Sequence, residues 1–147
     1  MPRFELQTEI AAPAEEVFEY VSNFERSPEW QRGAKDCHWT SPPPRGVGST
    51  YEQVTNFMGK DIAATFEVVE FEPGRRVRVE CREDGFPLTV ERSTEPTAER
   101  RCIYSEVVEG GDPGLYSVDP PLLRTNARRF MTADHRRLRE HFSSGEA

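Results

Sequence analysis

The sequence predicts an α+β fold: a curved antiparallel sheet of seven strands wrapped around a long C-terminal helix, with two short helices between the first two strands. Three observations carry this. Turn signals at Gly59-Lys60, Pro73-Gly74 and Asp84-Gly85 fold the middle of the chain into strands whose apolar residues share one face. Only the C-terminal stretch has a long helical period. The segment after the first strand carries two short helical patterns with a break near Asn23.

Taken in order, Phe4, Leu6, Thr8 and Ile10 alternate with Arg3, Glu5, Gln7 and Glu9, the pattern of a half-buried strand. Ala11-Ala12-Pro13-Ala14-Glu15-Glu16 opens a helix, because proline suits a first turn and glutamates favour the positive helix end. Val17, Phe18, Val21 and Phe24 follow at helical spacing, and a second short helix leads to Ser27-Pro28-Glu29-Trp30. Residues 34–40 make the second strand, and the loop Ser41–Gly48 follows with three prolines and two glycines.

The four turn signals, the last at Pro96-Thr97, serve as two-residue hairpin connections, a longer loop or a bulge being the alternative at each. Around Gly59-Lys60, Phe57 then faces Ile62, Thr55 faces Ala64, Gln53 faces Phe66 and Tyr51 faces Val68. Around Pro73-Gly74, Val68 faces Val79 and Phe66 faces Cys81. Around Asp84-Gly85, Cys81 faces Leu88, Val79 faces Val90 and Val77 faces Arg92. One face collects Tyr51, Phe57, Ile62, Ala64, Phe66, Val68, Val77, Val79, Cys81, Phe86, Leu88 and Val90. The other carries residues such as Asn56, Glu67, Arg78, Glu80 and Glu91. The last strand, Arg101–Val108, has two possible parities, Ile103 with Val107 or Tyr104 with Val108. Asp119-Pro120-Pro121 opens a helix of about 22 residues, whose stripe of Leu123, Ala127, Phe130, Met131, Leu138 and Phe142 must cover the sheet.

Composition narrows the function classes. At 147 residues the chain reads as a single domain, 1–147, with 142–147 as a frayed tail. A net charge of −7 argues against binding a phosphate backbone. No apolar run is long enough for a membrane span, and the N-terminus has no signal-peptide block, so a cytoplasmic protein is expected. Arginine outnumbers lysine 17 to 2, a hint of GC-rich bacterial coding. Cys37, Cys81 and Cys102 are odd in number and lack C-x-x-C spacing, so neither a disulfide framework nor a structural zinc site is expected. Residues 119–147 are net basic, with six arginines against Asp119, Asp134, Glu140 and Glu146; this is a solvated face or a docking face for an acidic partner.

The order of these elements resembles the SRPBCC superfamily, the START-like, helix-grip group that includes polyketide cyclase/dehydrase-like proteins. The resemblance rests on residues 9–21 (EIAAPAEEVFEYV), Pro28-Glu29-Trp30, Gly46-Val47-Gly48-Ser49, residues 66–73 (FEVVEFEP) and Asp134–Phe142 around Leu138-Arg139. It implies a sheet gripping the C-terminal helix around a deep apolar cavity that holds a lipid, polyketide or other hydrophobic molecule. It also implies that Ser41–Gly48 is a cavity-entrance loop. His135 stands where relatives usually carry leucine.

The candidate ligand-binding residues are Trp30; Tyr51, Gln53, Thr55 and Phe57 on one strand; Phe66, Val79, and Leu88, Val90 and Arg92 on the three strands that follow; and Ala127, Phe130, Met131 and His135 on the helix. His135, Arg92 and Tyr51 are the candidates for chemistry. His135 falls on the inward stripe, four residues after Met131, as an acid/base or as a hydrogen-bonded core histidine. Arg92 has the apolar parity of its strand; it holds a ligand carboxylate or enolate, or it reaches solvent or a carboxylate such as Glu70. Trp30 is a core anchor or a ligand stacker. His38, His135 and His141 lack metal-ligand spacing, and no G-x-S-x-G occurs, so neither a metal nor a cofactor is expected.

Three functions fit. The first is binding of a hydrophobic or aromatic small molecule by a monomer or homodimer, without nucleic acid or integral membrane association. The second is a cyclase-, aromatase- or dehydratase-like enzyme using the same cavity. The third is a protein- or membrane-interaction module acting through the basic face of the C-terminal helix.

Overall fold

The computed structural model describes residues 3–57, 59–81, 88–110 and 120–144. Asp84-Gly85, Phe86 and Asp119, with the side chains of Phe57, Leu123 and Ala127, lie outside the described residues. The strands are β1 (Arg3–Ile10), β2 (Ala34–Trp39), β3 (Thr50–Phe57), β4 (Lys60–Glu72), β5 (Arg76–Cys81), β6 (Leu88–Ala98) and β7 (Arg101–Gly110). They form one curved antiparallel sheet in the order β1-β7-β6-β5-β4-β3-β2. Between β1 and β2 run α1 (Ala14–Ser22), a 3-10 turn at Phe24–Arg26 and α2 (Ser27–Trp30); α3 (Pro120–Ser144) closes the chain. Pro13 sits at the head of α1, its carbonyl accepting from the Glu16 and Val17 amides, with Glu15 and Glu16 against the positive helix end.

The β5–β6 register is the expected one, Val79 facing Val90 and Val77 facing Arg92. At β4–β5, Phe66 faces Cys81 and Val68 faces Val79, but a bulge at Val69 shifts the remainder, so Glu72 pairs with Arg76 across a three-residue turn. The bulge swings Phe71 onto the inner face, where its ring lies 5.9 Å from Phe18. The β3–β4 pairing differs by two residues. Phe57 pairs with Lys60 rather than Ile62, and Tyr51 faces Phe66 rather than Val68. Gly59, at φ +85, permits this tighter connection, and a two-residue slip leaves every side chain on its expected face. Pro96-Thr97 is not a turn: β6 continues to Ala98, which pairs with Arg101, and a bulge at Thr97 takes up the irregularity. Proline is tolerated there because a bulge already interrupts the ladder. Of the two parities open for β7, Tyr104 with Val108 faces inward, and Cys102 and Glu106 share that face.

The core has two parts. Ile10, Val17, Val21, Trp30, Tyr104 and Leu138 pack where α1, α2 and α3 meet β1 and β7. Phe18, Phe24, Tyr51, Phe66, Val77 and Val79 fill the other half of the sheet. Helix α3 extends over 25 residues, through the start of the expected frayed tail. Phe142 is anchored edge-on to Tyr20, ring centroids 5.5 Å apart.

Candidate functional site

A cavity of about 220 Å³ lies between the inner face of the sheet and α3. Its apolar wall comes from Phe4 on β1, Ile62, Ala64 and Phe66 on β4, Leu88 and Val90 on β6, Val108 on β7, and Phe130 and Met131 on α3. Polar groups enter from three sides: Gln53 and Thr55 on β3, Arg92 and Glu106 on β6 and β7, and Asp134 on α3 with Gln31 after α2. Alternation along each strand explains the lining, since residues two apart share a face. Gln53 donates to the Thr55 hydroxyl at 2.8 Å, so the two polar side chains on β3 partly satisfy each other. Tyr51 is stacked between Phe24 and Phe66, at 4.5 and 5.2 Å, and burial keeps its phenol neutral far above the usual range.

Arg92 joins the two halves of the core. Its guanidinium lies over the rings of Phe24 and Trp30, at 4.6 and 4.9 Å, one ring from each half. It donates to the Val21 carbonyl at 2.9 Å, to Gln31 Oε1 at 3.0 Å and to Ser27 Oγ at 3.4 Å. These bonds tie β6 to the end of α1 and to α2. Its nearest carboxylate is Glu106, Nε to Oε2 at 3.5 Å, a charge contact and not a hydrogen bond. The expected alternative, Glu70, instead pairs on the outer face with Arg76 and Arg78.

Glu106 completes a buried chain of polar side chains. His135 Nε2 lies 3.0 Å from Glu106 Oε1, and His135 Nδ1 lies 2.8 Å from the Thr8 hydroxyl. Arg92, Glu106 and His135 are only 3%, 3% and 2% exposed. A carboxylate only accepts, so Nε2 carries a proton and Thr8 completes the ring at Nδ1. Burial alone would raise the Glu106 carboxyl, but the His135 hydrogen bond and the Arg92 charge hold it below its ordinary value. Among the described residues, the Trp30 indole N–H and the Tyr104 hydroxyl in the same wall have no hydrogen-bond partner.

Asp134 has the opposite character. Burial pushes its carboxyl up to about 6, only partly offset by the Arg32 amide and Arg137. Both partners take the same oxygen, Oδ1, the Arg32 amide at 3.1 Å. Arg137 also donates to the Trp30 carbonyl at 3.0 Å, so this pair clips α3 to the α2–β2 connection. Cys37 and Cys102 are neutral thiols, pushed up to about 12 and about 11 by burial. The described residues contain no group of three or more His, Cys, Asp or Glu side chains placed to hold a metal.

Of the candidate site residues, Tyr51, Gln53, Thr55, Phe66, Leu88, Val90, Arg92, Phe130 and Met131 lie on the cavity. Trp30, Val79 and His135 do not belong to its described lining; they pack in the wall behind it. Trp30 is thus a core anchor, held edge-on to Tyr104 and beneath Arg92. Ser41–Gly48 contributes nothing to the described lining either. Its Gly48 amide bonds the Val68 carbonyl at the opposite end of β3 from Asn56, which borders the cavity while its side chain donates to Asp61 on the exposed outer face. Glu106, Asp134 and Gln31 were not singled out. Glu106 was legible in the shared parity of Cys102, Tyr104 and Glu106, and Asp134 in its spacing of three from Met131.

Comparison with known proteins agrees with this architecture. A START superfamily protein from Mycobacterium smegmatis superposes with a TM-score of 0.81 at 16% identity, covering 97% of both chains. The protein XoxI from Bacillus cereus superposes at 0.76 and 14% identity, covering 100% of this chain and 99% of its own. The Zhui aromatase/cyclase from Streptomyces sp. R1128 superposes at 0.74 and 15% identity, covering 97% of this chain and 93% of that one. These likenesses show the fold. No protein of curated function matches the sequence. The family model for polyketide cyclase/dehydrase and lipid transport matches residues 1–143, and the chain belongs to that family.

Proposed function

We propose that the protein binds a compact hydrophobic or aromatic molecule in the cavity between the sheet and α3. The observation that carries this is a space of about 220 Å³ with apolar side chains on most sides and a few polar groups at fixed positions. An engineered cavity of about 150 Å³ holds benzene, so this one is large enough for a fused two-ring system. Native mass spectrometry of freshly purified protein is the first test, and a discrete mass lost on denaturation supports the reading. The second is titration with the neutral fluorophore N-phenyl-1-naphthylamine. Saturable one-to-one binding is expected, weakened at least tenfold in Ala64→Phe, which places a ring inside the cavity. Absence of both a bound mass and saturable probe binding rejects the reading.

A second reading, proton transfer within the same cavity, is favoured by Asp134, which lines the cavity and whose carboxyl burial pushes up to about 6. The aromatase/cyclase among the structural neighbours makes that reading a natural one to test. Deuterium exchange at the methyl group of 2-acetylnaphthalene, followed by NMR, reads it directly. Exchange no faster than in buffer removes it.

A further inference from the structure

We infer that the cavity selects an apolar ligand carrying a protonated amine, and that Asp134 Oδ2 is the atom that receives it. The inference rests on the binding function proposed above and adds the chemistry of the ligand's polar end. Asp134 lines the cavity, yet both hydrogen bonds it accepts, from the Arg32 amide and from Arg137, fall on Oδ1. No described residue gives Oδ2 a hydrogen bond. The carboxylate is therefore held by one oxygen and presents the other. Of the remaining charged groups on the lining, Arg92 is occupied by Val21, Gln31 and the Glu106 charge, and Glu106 is occupied by His135. A ligand anion would meet Asp134 and Glu106 with no free cation on the described lining, whereas a ligand cation meets an unshared carboxylate oxygen. Burial raises the Asp134 carboxyl to about 6, which means the anion is under-compensated and gains from a positive partner.

The test uses three probes with one ring system: 1-naphthylmethylamine, 1-naphthalenemethanol and 1-naphthoic acid, titrated calorimetrically at pH 8. The amine is expected to bind about tenfold or more tightly than the alcohol, and the acid most weakly. In Asp134→Asn the amine should fall to the alcohol's affinity. In the wild-type protein, NMR of the Asp134 carboxyl carbon should show the amine, and not the alcohol, lowering its pKa; this holds even if the variant does not fold. An amine that binds no tighter than the alcohol, or an unshifted Asp134, overturns the assignment while alcohol binding keeps the cavity reading intact. If none of the three binds, both fall together.

Discussion

Arg92 on β6 and Glu106 on β7 face each other directly across the ladder, both buried, with the guanidinium Nε 3.5 Å from the carboxylate. Neither charge reaches bulk water. Each is instead stabilised from a different side: Arg92 by two aromatic rings and the carbonyl of Val21, Glu106 by His135. The pair therefore sits where three elements converge, and it forms one wall of the cavity while fastening α1 and α2 to the sheet. A buried ion pair of this kind is weak evidence for stability by itself, because desolvation opposes the attraction.

Removing either partner alone should cost about 3–5 kcal/mol, since the other is left buried and uncompensated. Glu106→Leu and Arg92→Met, measured singly by urea denaturation, should both show this loss. The double variant should lose clearly less than the sum. Additive losses would mean that the two charges do not act together. It follows that Arg92→Leu is a poor probe of ligand binding, because it disturbs the wall before it disturbs the cavity.

The Thr8–His135 contact links β1 to α3 at 2.8 Å, and neither residue belongs to the described cavity lining. Thr8→Val keeps the shape and removes the hydroxyl. It should cost about 1–2 kcal/mol through the unpaired ring nitrogen, with probe affinity changed less than twofold. A large loss of affinity at unchanged stability would place His135 in the binding machinery instead.

The thiols give a simpler check on packing. Cys37 and Cys102 are buried and their thiols pushed up to about 12 and about 11, whereas Cys81 is half-buried. Native protein treated with iodoacetamide at pH 8 should be modified first at Cys81, with the other two reacting only on unfolding. Rapid labelling of Cys102 would mean that the α3–β7 core opens readily.

The sheet was legible because its signals are local and redundant. Strand alternation, turn residues and a single face for Phe66, Val79 and Val90 each pointed the same way, and errors of register by two left the face unchanged. The misread positions share a cause. Val69 and Thr97 sit at bulges, where an extra residue breaks the period of two that the reading relied on. Glu106 shares the parity of Cys102 and Tyr104, but parity shows only that it faces inward; that it is a buried, paired carboxylate depends on Arg92 and His135, brought beside it from distant parts of the chain. His135 was placed on the inward face correctly, but whether it meets the cavity or the wall depends on how α3 lies against β1. No sequence spacing encodes that angle.

The last prediction concerns pH, where Asp134 and Glu106 act in opposite directions. Asp134 has a folded-state pKa of about 6 against an ordinary 3.8, so the native protein holds this proton more tightly than the unfolded chain does. Stability should therefore be lost as pH rises from about 4 to about 6, by on the order of 2–3 kcal/mol. Glu106 lies below its ordinary value, so its contribution is present at neutral pH and is lost only as the solution becomes strongly acidic. Comparing wild type with Asp134→Asn isolates the first effect. Asparagine retains an oxygen for the Arg32 amide and carries no charge to bury. The variant should match or exceed wild-type stability at pH 7.5 and fall behind it near pH 4.5, where the protonated carboxyl no longer bears the desolvation cost. Urea midpoints at the two pH values measure the crossing. A constant difference between the two proteins would show that the Asp134 carboxyl titrates in its ordinary range. In that case the cavity offers a fully compensated anion, and the preference for an amine loses its electrostatic basis.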